Sequence, residues 1–359
     1  MKRTFKGALI LLLLALLVTP FSSALAAAPD GLVTEYPLPG SPFHVAVQDA
    51  GHIWVTLPAQ NAIARLAVTA PGVYSVLTYE LPTLSSHPHD IVYAAGSVWV
   101  SEYAGNKIAR FNPVAGTWTE YTIPTLASGP TGLTVLAGEP IQVWFCEQTG
   151  NKLGLLTITS AGASQFAEFP LPWSGAGMEN IAATSSNNVW FTAPGREGIS
   201  QFSLADWQIG PQTAFGFAPT TTPLSPSPTS PYDIKIDGEG FPWFTEPSTN
   251  RIGRFNPATT TSFEWYPVTT PNSELAGLDL ALGYVWFTEY DSSQVGQLQK
   301  LGYTGRVREL PLPGANPAPS DIALGPDGCA WVSASGGDAL VSWCPPYYRQ
   351  LYLPMIQRM

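Results

Sequence analysis

Charge is the scarcest commodity in this chain of 359 residues: Asp, Glu, Lys and Arg together make up 12 % of it. Only 16 residues are Lys or Arg against 26 Asp or Glu, which gives a formal net charge of -10. A chain so poor in basic side chains is a poor candidate for nucleic acid, whose phosphates call for Lys and Arg, or for an anionic membrane surface. Solubility falls to Ser, Thr, Asn and Gln. Long apolar runs are missing after the first twenty residues, so nothing later reads as a membrane span of ~20 residues. Helical apolar periodicity is missing as well, and high Pro, Gly, Thr and Trp with little Lys and Glu favour β-structure. There are three cysteines and only four histidines, His44, His52, His87 and His89.

The N-terminus stands apart. Lys2, Arg3 and Lys6 precede an apolar run from Ala8 to Val18, followed by Ala24-Leu25-Ala26. This is the pattern of a secretory signal peptide over residues 1–26, with an uncleaved anchor as the alternative. Cleavage leaves a mature chain from near Ala27, expected to be exported. Without Lys2, Arg3 and Lys6 it carries 13 basic against 26 acidic residues, or -13.

What is abundant is tryptophan in a fixed frame. Trp54, Trp99, Trp144, Trp190, Trp243, Trp286 and Trp331 lie 45, 45, 46, 53, 43 and 45 residues apart. That is the repeat length of a four-stranded propeller blade. About ten residues upstream of each lies a short apolar strand. Seven residues downstream comes a turn position: Asn61, Asn106, Asn151, Glu197, Asn250, Ser293 and Asp338. A third strand and a fourth, such as Tyr121 to Pro124, complete the unit. The expected fold is all-β: a single seven-bladed β-propeller of four-stranded blades over residues 27–359. Its units are approximately 41–82, 83–124, 125–172, 173–220, 221–268, 269–313 and 314–354. A sheet of this kind buries its faces only against its neighbours in a ring, so the Trp stripe is expected to be inter-blade core. Residues 33–39 carry a fourth-strand motif with no unit before it and are expected to close the last blade. Leu351-Tyr352-Leu353-Pro354 carries the same motif and competes for that place. The Pro/Ser/Thr-rich run Ala218 to Pro231 accounts for the long spacing and is expected to be a loop between blades four and five.

Cys329 opens the second strand of the last unit and Cys344 ends the third. Across a hairpin turning near Ser335 to Asp338 they fall opposite each other, and export permits a disulfide worth ~3 kcal/mol. Cys146 occupies a Thr/Ser slot and reads as a small buried residue.

Propeller geometry brings the start of each inner strand beside the end of each second strand, at one mouth of the axial channel. The first ring includes His89 and Asp90, Tyr232 and Asp233, and Asp321. The second includes Glu102, Glu147, Glu246 and Glu289. Such carboxylates suggest a hard cation, Mg²⁺ or Ca²⁺, and no organic cofactor; solvated carboxylates capping strand ends are the structural alternative. His87, Asp90, Tyr232, Asp233 and Asp321 are candidate ligand-binding residues. His89, with Glu102 on the same blade, is a candidate general base; a hydrogen-bonded rim histidine is the structural alternative. The expected partner is a small molecule or peptide at the channel mouth, with the chain monomeric.

The motifs Pro231-Tyr232-Asp233-Ile234, Trp243-Phe244-Thr245-Glu246 and Asn250-Arg251-Ile252-Gly253-Arg254-Phe255 resemble the streptogramin B (virginiamycin B) lyase family, over nearly the whole mature chain. A weaker resemblance is to NHL and gluconolactonase-type propellers. The lyase resemblance implies a Mg²⁺-dependent eliminase that opens the ester of a cyclic depsipeptide, metal ions stabilising an enolate and a His taking the α-proton. It places a Glu-x-His and a Glu on the last blade and a His on the blade before. Here those positions hold Ala318, Ser320, Ala334 and Ala276, so the catalytic set is not retained in register. A relocated site would use His89 as base with Glu102 and Glu147 near the metal, as a lyase or a lactonase-type enzyme. A cell-surface interaction module, with the Pro/Ser/Thr loop as a contact, is the remaining alternative.

Overall fold

The computed structural model describes residues 31–207, 230–257, 263–281, 283–300 and 306–344. The signal segment, nearly all of the Ala218 to Pro231 loop and the Leu351 to Pro354 motif lie outside them. The described chain forms seven antiparallel sheets, six of four strands and one of three. The three-stranded sheet is blade four, Ile181–Ser185, Asn188–Ala193 and Gly198–Phe202. Inner strands touch in cyclic order, and that of blade seven, Pro319–Leu324, meets that of blade one, Val45–Asp49. The ring is therefore closed. Its closing strand is Leu32–Pro37, which pairs with Ala339–Cys344 as the outer strand of blade seven. Cys329 and Cys344 form a disulfide inside that blade.

Each Trp fills the seam to the following blade. Trp54 packs with Ile91, Val98 and Phe111 of blade two, and Trp331 with Tyr36, Val45 and Leu66 where blade seven meets blade one. All seven are at most 2 % exposed, and a buried aromatic of this size contributes several kcal/mol. The residue after each Trp faces the third strand of its own sheet, and in five blades the pairs are size-matched. Phe145, Phe244 and Phe287 lie opposite Gly154, Gly253 and Gly296, whereas Val55 and Val100 lie opposite Ala64 and Ala109. A Cβ on Gly154 would stand 2.0 Å from the Phe145 ring, so the Gly of the third strand is a packing requirement.

The seven turn residues all adopt the left-handed conformation, with φ between 48° and 58°. In four blades the turn residue is Asn, and its amide binds the chain leaving the outer strand. Asn106 Nδ2 donates to the carbonyls of Ile123 and Thr125, while its Oδ1 accepts the Ser128 amide. This clamp fixes where the chain enters the next inner strand, and hence the mouth.

The hydroxyl two residues after the Trp does a second structural job. Thr56 accepts the His44 amide and donates to the His89 carbonyl of the next blade. Thr192 and Thr245 repeat this toward Tyr232 and Ala276. Cys146 takes the same slot in blade three, buried, with its thiol 3.9 Å from the Asn180 carbonyl.

Candidate functional site

The site is built by a bulge. Pro88 pairs with Glu102, and the next pair is Ile91 with Val100, so His89 and Asp90 together face the single residue Ser101. Blades three and six carry the same irregularity. An extra residue re-aims the side chains beyond it. The carboxylates near the mouth fall into two groups.

First, the glutamates that end the second strands do not ring the channel. Glu102, Glu147, Glu246 and Glu289 are fully buried, each turned into the loop of its own blade. Glu246 accepts from Arg251 Nε at 2.7 Å and from Thr249 Oγ1 at 2.8 Å. Glu289 accepts from Ser292 Oγ at 3.0 Å. Glu102 and Glu147 press against Gly105 and Gly150. Burial, reinforced by Glu120, Glu168 and Glu309, pushes Glu102, Glu147 and Glu289 up to about 7, 8 and 7. Burial raises Glu246 too, against the opposing charge of Arg251. Among the described residues no group of three or more His, Cys, Asp or Glu is placed to hold a metal ion. Each of the four carboxyls is thus enclosed separately within its own blade and does not converge with the others on the channel.

Second, the aspartates of the inner strands are stitches. Asp90 accepts the amides of Ile91 and, on the next blade, Leu133, each at 2.7 Å. Asp233 joins Ile234 to Leu278, Asp321 joins Ile322 to Val45, and Asp279 joins Leu280 to Leu324. These carboxylates fasten successive blades around an axial cavity of about 430 Å³. Two cations balance them. Lys235 Nζ lies 3.0 Å from Asp233, and its pKa is raised by Asp233, Asp321 and Asp279 although burial opposes the charge. His44 Nδ1 stands 3.3 Å from Asp90 and 3.4 Å from Asp321. Burial disfavours its charge, but Asp90 and Asp321 prevail and hold its pKa at about 9.

Above this floor the mouth is lined on one side by a connected series of side chains. Phe43 stands edge-on to His44 and His89, with ring centroids 4.6 and 5.1 Å apart. His89 faces Tyr103 at 6.1 Å. Tyr103 and Gln148 share a hydrogen bond of 3.1 Å, and Gln148 Nε2 donates to Glu179 at 2.7 Å. Burial raises Glu179 to about 7. His89 is held neutral by burial and by the charge of His44. Tyr232 is kept neutral by burial and by Glu179. His87 projects outward with φ 54° and faces Tyr103 at 6.3 Å.

Of the sequence candidates, the structure thus brings His89 to the mouth and leaves His87 at its edge. It commits Asp90, Asp233 and Asp321 to backbone amides and withdraws the four glutamates. Tyr103 and Gln148, which directly follow Glu102 and Glu147, and the pair Lys235 and Asp279 were not among those candidates. On the last blade, Ser320 and Ser333 bond the Phe43 carbonyl, while Ala318 and Ala334 are buried.

A closed seven-bladed propeller with a funnel at one face and a stitched axial cavity defines the class of protein. The virginiamycin B lyase family is the one it falls in: the sequence profile of that family matches residues 26–213 and 217–343, and the chain belongs to it. It is 25 % identical over 291 residues to a virginiamycin B lyase of Nocardia farcinica, covering 80 % of this chain and 76 % of the relative. A solved streptogramin B lyase matches with TM-score 0.74 at 25 % identity, over 88 % of this chain and 98 % of that one. The virginiamycin B lyase of Staphylococcus aureus matches with TM-score 0.71 at 27 % identity, over 87 % and 98 %. A catalytically inactive His-to-Ala form of the same enzyme, solved with quinupristin, matches with TM-score 0.70 over the same shares.

Proposed function

We propose that this protein is an exported propeller that holds a small-molecule or peptide ligand in the upper mouth, through aromatic and hydrogen-bonding side chains and not through a hard cation. One observation carries the reading: the unbroken series Phe43, His89, Tyr103, Gln148 and Glu179, with rings at one end and amide and carboxyl groups at the other. Aromatic walls with a few convergent polar groups are the usual make-up of an organic-ligand site. Family membership makes a cyclic depsipeptide of the streptogramin B type the first ligand to try. The mature charge of -13 argues against nucleic acid, and the N-terminal pattern supports export.

The test is calorimetric titration with quinupristin, in EDTA and then in Mg²⁺, on the parent and on Tyr103→Phe and Gln148→Ala. Binding in EDTA, weakened by about tenfold in Gln148→Ala, is the expected outcome. Heat that appears only with Mg²⁺, or no heat at all, sinks the reading.

A second reading, an ester-opening lyase or lactonase with a relocated base, is favoured by the His89 ring, which is neutral and has an Nδ1 without a hydrogen-bond partner. Mass spectrometry of quinupristin after incubation, looking for the linearised product with His89→Ala as control, separates binding from turnover.

A further inference from the structure

Two histidine nitrogens are left over once the stitches have been counted. His44 is 5 % exposed, and its Nδ1 is used between Asp90 and Asp321. Its Nε2, on the far edge of the ring, is buried and makes no hydrogen bond. The neighbouring His89 has a buried Nδ1 in the same condition. The two rings lie 5.2 Å apart, tilted by 37°. A buried polar nitrogen without a partner is costly, and two of them on neighbouring rings of adjacent blades are a constellation the ring closure does not require. The Thr56 hydroxyl joins these two blades, and Asp321 and Asp90 tie each to its other neighbour, without either atom.

We propose that His44 and His89 form a two-histidine receptor for a carbonyl group: the carbonyl oxygen accepts from His44 Nε2–H while the carbonyl carbon or its adjoining C–H faces the lone pair on His89 Nδ1. This rests on the reading of the mouth as a ligand site and names the group it grips. The two environments suit the two roles. Carboxylates on both sides of His44 keep a proton on each of its nitrogens, so it donates at the free edge. His89 has no carboxylate partner and stays a neutral imidazole, an acceptor. Pairs of titratable groups driven apart by their surroundings mark acid and base assignments. A free carboxylate is the wrong ligand here, because His44 already faces two. A neutral ester, lactone or amide carbonyl meets no such repulsion. Phe43, half-exposed and edge-on to both rings, is the wall that a ligand displaces.

Diethyl pyrocarbonate, a small neutral carbonyl compound, probes the pair directly. The His89 Nδ1 lone pair attacks its carbonyl carbon and forms an N–C bond. The C–O bond to ethyl carbonate breaks with its electron pair, and the imidazole loses its Nε2 proton to water. Ethyl carbonate takes up a proton and falls apart into carbon dioxide and ethanol. Peptide mapping by mass spectrometry reads each histidine separately, with exposed His87 as the reference in the same chain. Two variants divide the functions of His44. His44→Asn keeps a donor where Nδ1 stands and removes the one at Nε2; His44→Gln does the reverse. The proposal expects His89 to acylate faster than His87 in the parent and in His44→Gln, and about tenfold slower in His44→Asn. A merely structural His44 predicts the opposite order, with Asn tolerated and Gln disruptive, and thermal unfolding of both variants shows which one has lost the clamp. Acylation of His89 at the same rate in His44→Asn as in the parent overturns the proposal, as does a His89 slower than His87 in the parent. Neither readout depends on quinupristin, so a failure of the ligand reading and a failure of this pair are told apart.

Discussion

Asp321 Oδ2 accepts the backbone amide of Val45 at 2.9 Å, across 276 residues of sequence and across the seam where the ring closes. The same carboxylate stands beside His44 Nδ1. One side chain thus ties blade seven to blade one twice. Asp321→Ala removes a buried, charge-assisted acceptor and leaves an orphaned amide, a loss of about 2–3 kcal/mol. Asp321→Asn keeps one acceptor oxygen and is expected to lose about half of that. Urea unfolding midpoints at pH 7 measure both. A midpoint for Asp321→Ala equal to the parent's would mean that the seam is held by the Trp331 packing and the serine bonds to Phe43 and not by this carboxylate.

Stability is expected to fall from about pH 6.5 to about pH 9. Below pH 6.5 His89, lowered well below its ordinary value by burial, opposes the fall; above it the signs of His44 and three glutamates agree. His44 rises from 6.5 to about 9 on folding, so the folded state holds its proton where the unfolded chain has released it. Its contribution is complete below pH 6.5 and disappears as pH rises through 9. Glu102, Glu147 and Glu289, raised from 4.5 to about 7, 8 and 7, follow the same rule in an earlier window, complete below 4.5 and lost through 7 to 8. Glu120, Glu168 and Glu309 are lowered: burial opposes this, but hydrogen bonds from neighbouring residues prevail. Their contribution is lost in acid, which places the optimum on the acid side of neutrality. Denaturation midpoints across pH 4 to 10 trace the curve, and Glu147→Gln is expected to flatten it between 5 and 8.

The match of Phe145 to Gly154 predicts a rescue. Gly154→Ala places a Cβ inside the Phe145 ring and is expected to cost about 1–3 kcal/mol as overpacking. Adding Phe145→Val recreates the pairing of blades one and two, where Val100 faces Ala109, and is expected to recover most of the loss. The thermal midpoints of the four proteins form a double-mutant cycle; additivity would show that the two side chains do not share the space.

The fold was legible because its determinants recur. Seven tryptophans in one frame, left-handed turn residues seven positions later and a hydroxyl two positions later are each repeated often enough to stand out from the noise of one sequence. The mouth was less legible because a turn, and not the strand register, decides which side chains face it. Glu102 keeps the regular register of its strand, opposite Lys107, but the turn at Gly105 closes over it, and Tyr103, one residue further on, stands at the rim; which of the two neighbours meets solvent depends on how the turn folds back. The aspartates were located correctly, but their destination was hidden. Whether Asp90 meets solvent or the amide of Leu133 depends on how closely two blades approach, and that distance is not written in either repeat.

The withdrawn glutamates lead to a last expectation, about cations. Were Glu102 or Glu289 metal ligands, millimolar Mg²⁺ or Ca²⁺ would raise the unfolding temperature by mass action, and replacing either with Gln would abolish the rise. Each is instead enclosed in the loop of its own blade, and among the described residues no second carboxylate from another blade joins it to share an ion. Millimolar Mg²⁺ is therefore expected to move the midpoint by less than about 1 °C, in the parent and in Glu102→Gln and Glu289→Gln alike. At pH 8 both variants are expected to be slightly more stable than the parent, because a neutral amide spares the cost of burying a carboxylate that has begun to ionise. A saturable cation-dependent rise lost in Glu102→Gln would return the carboxylates to the site and remove the basis for a cation-free mouth.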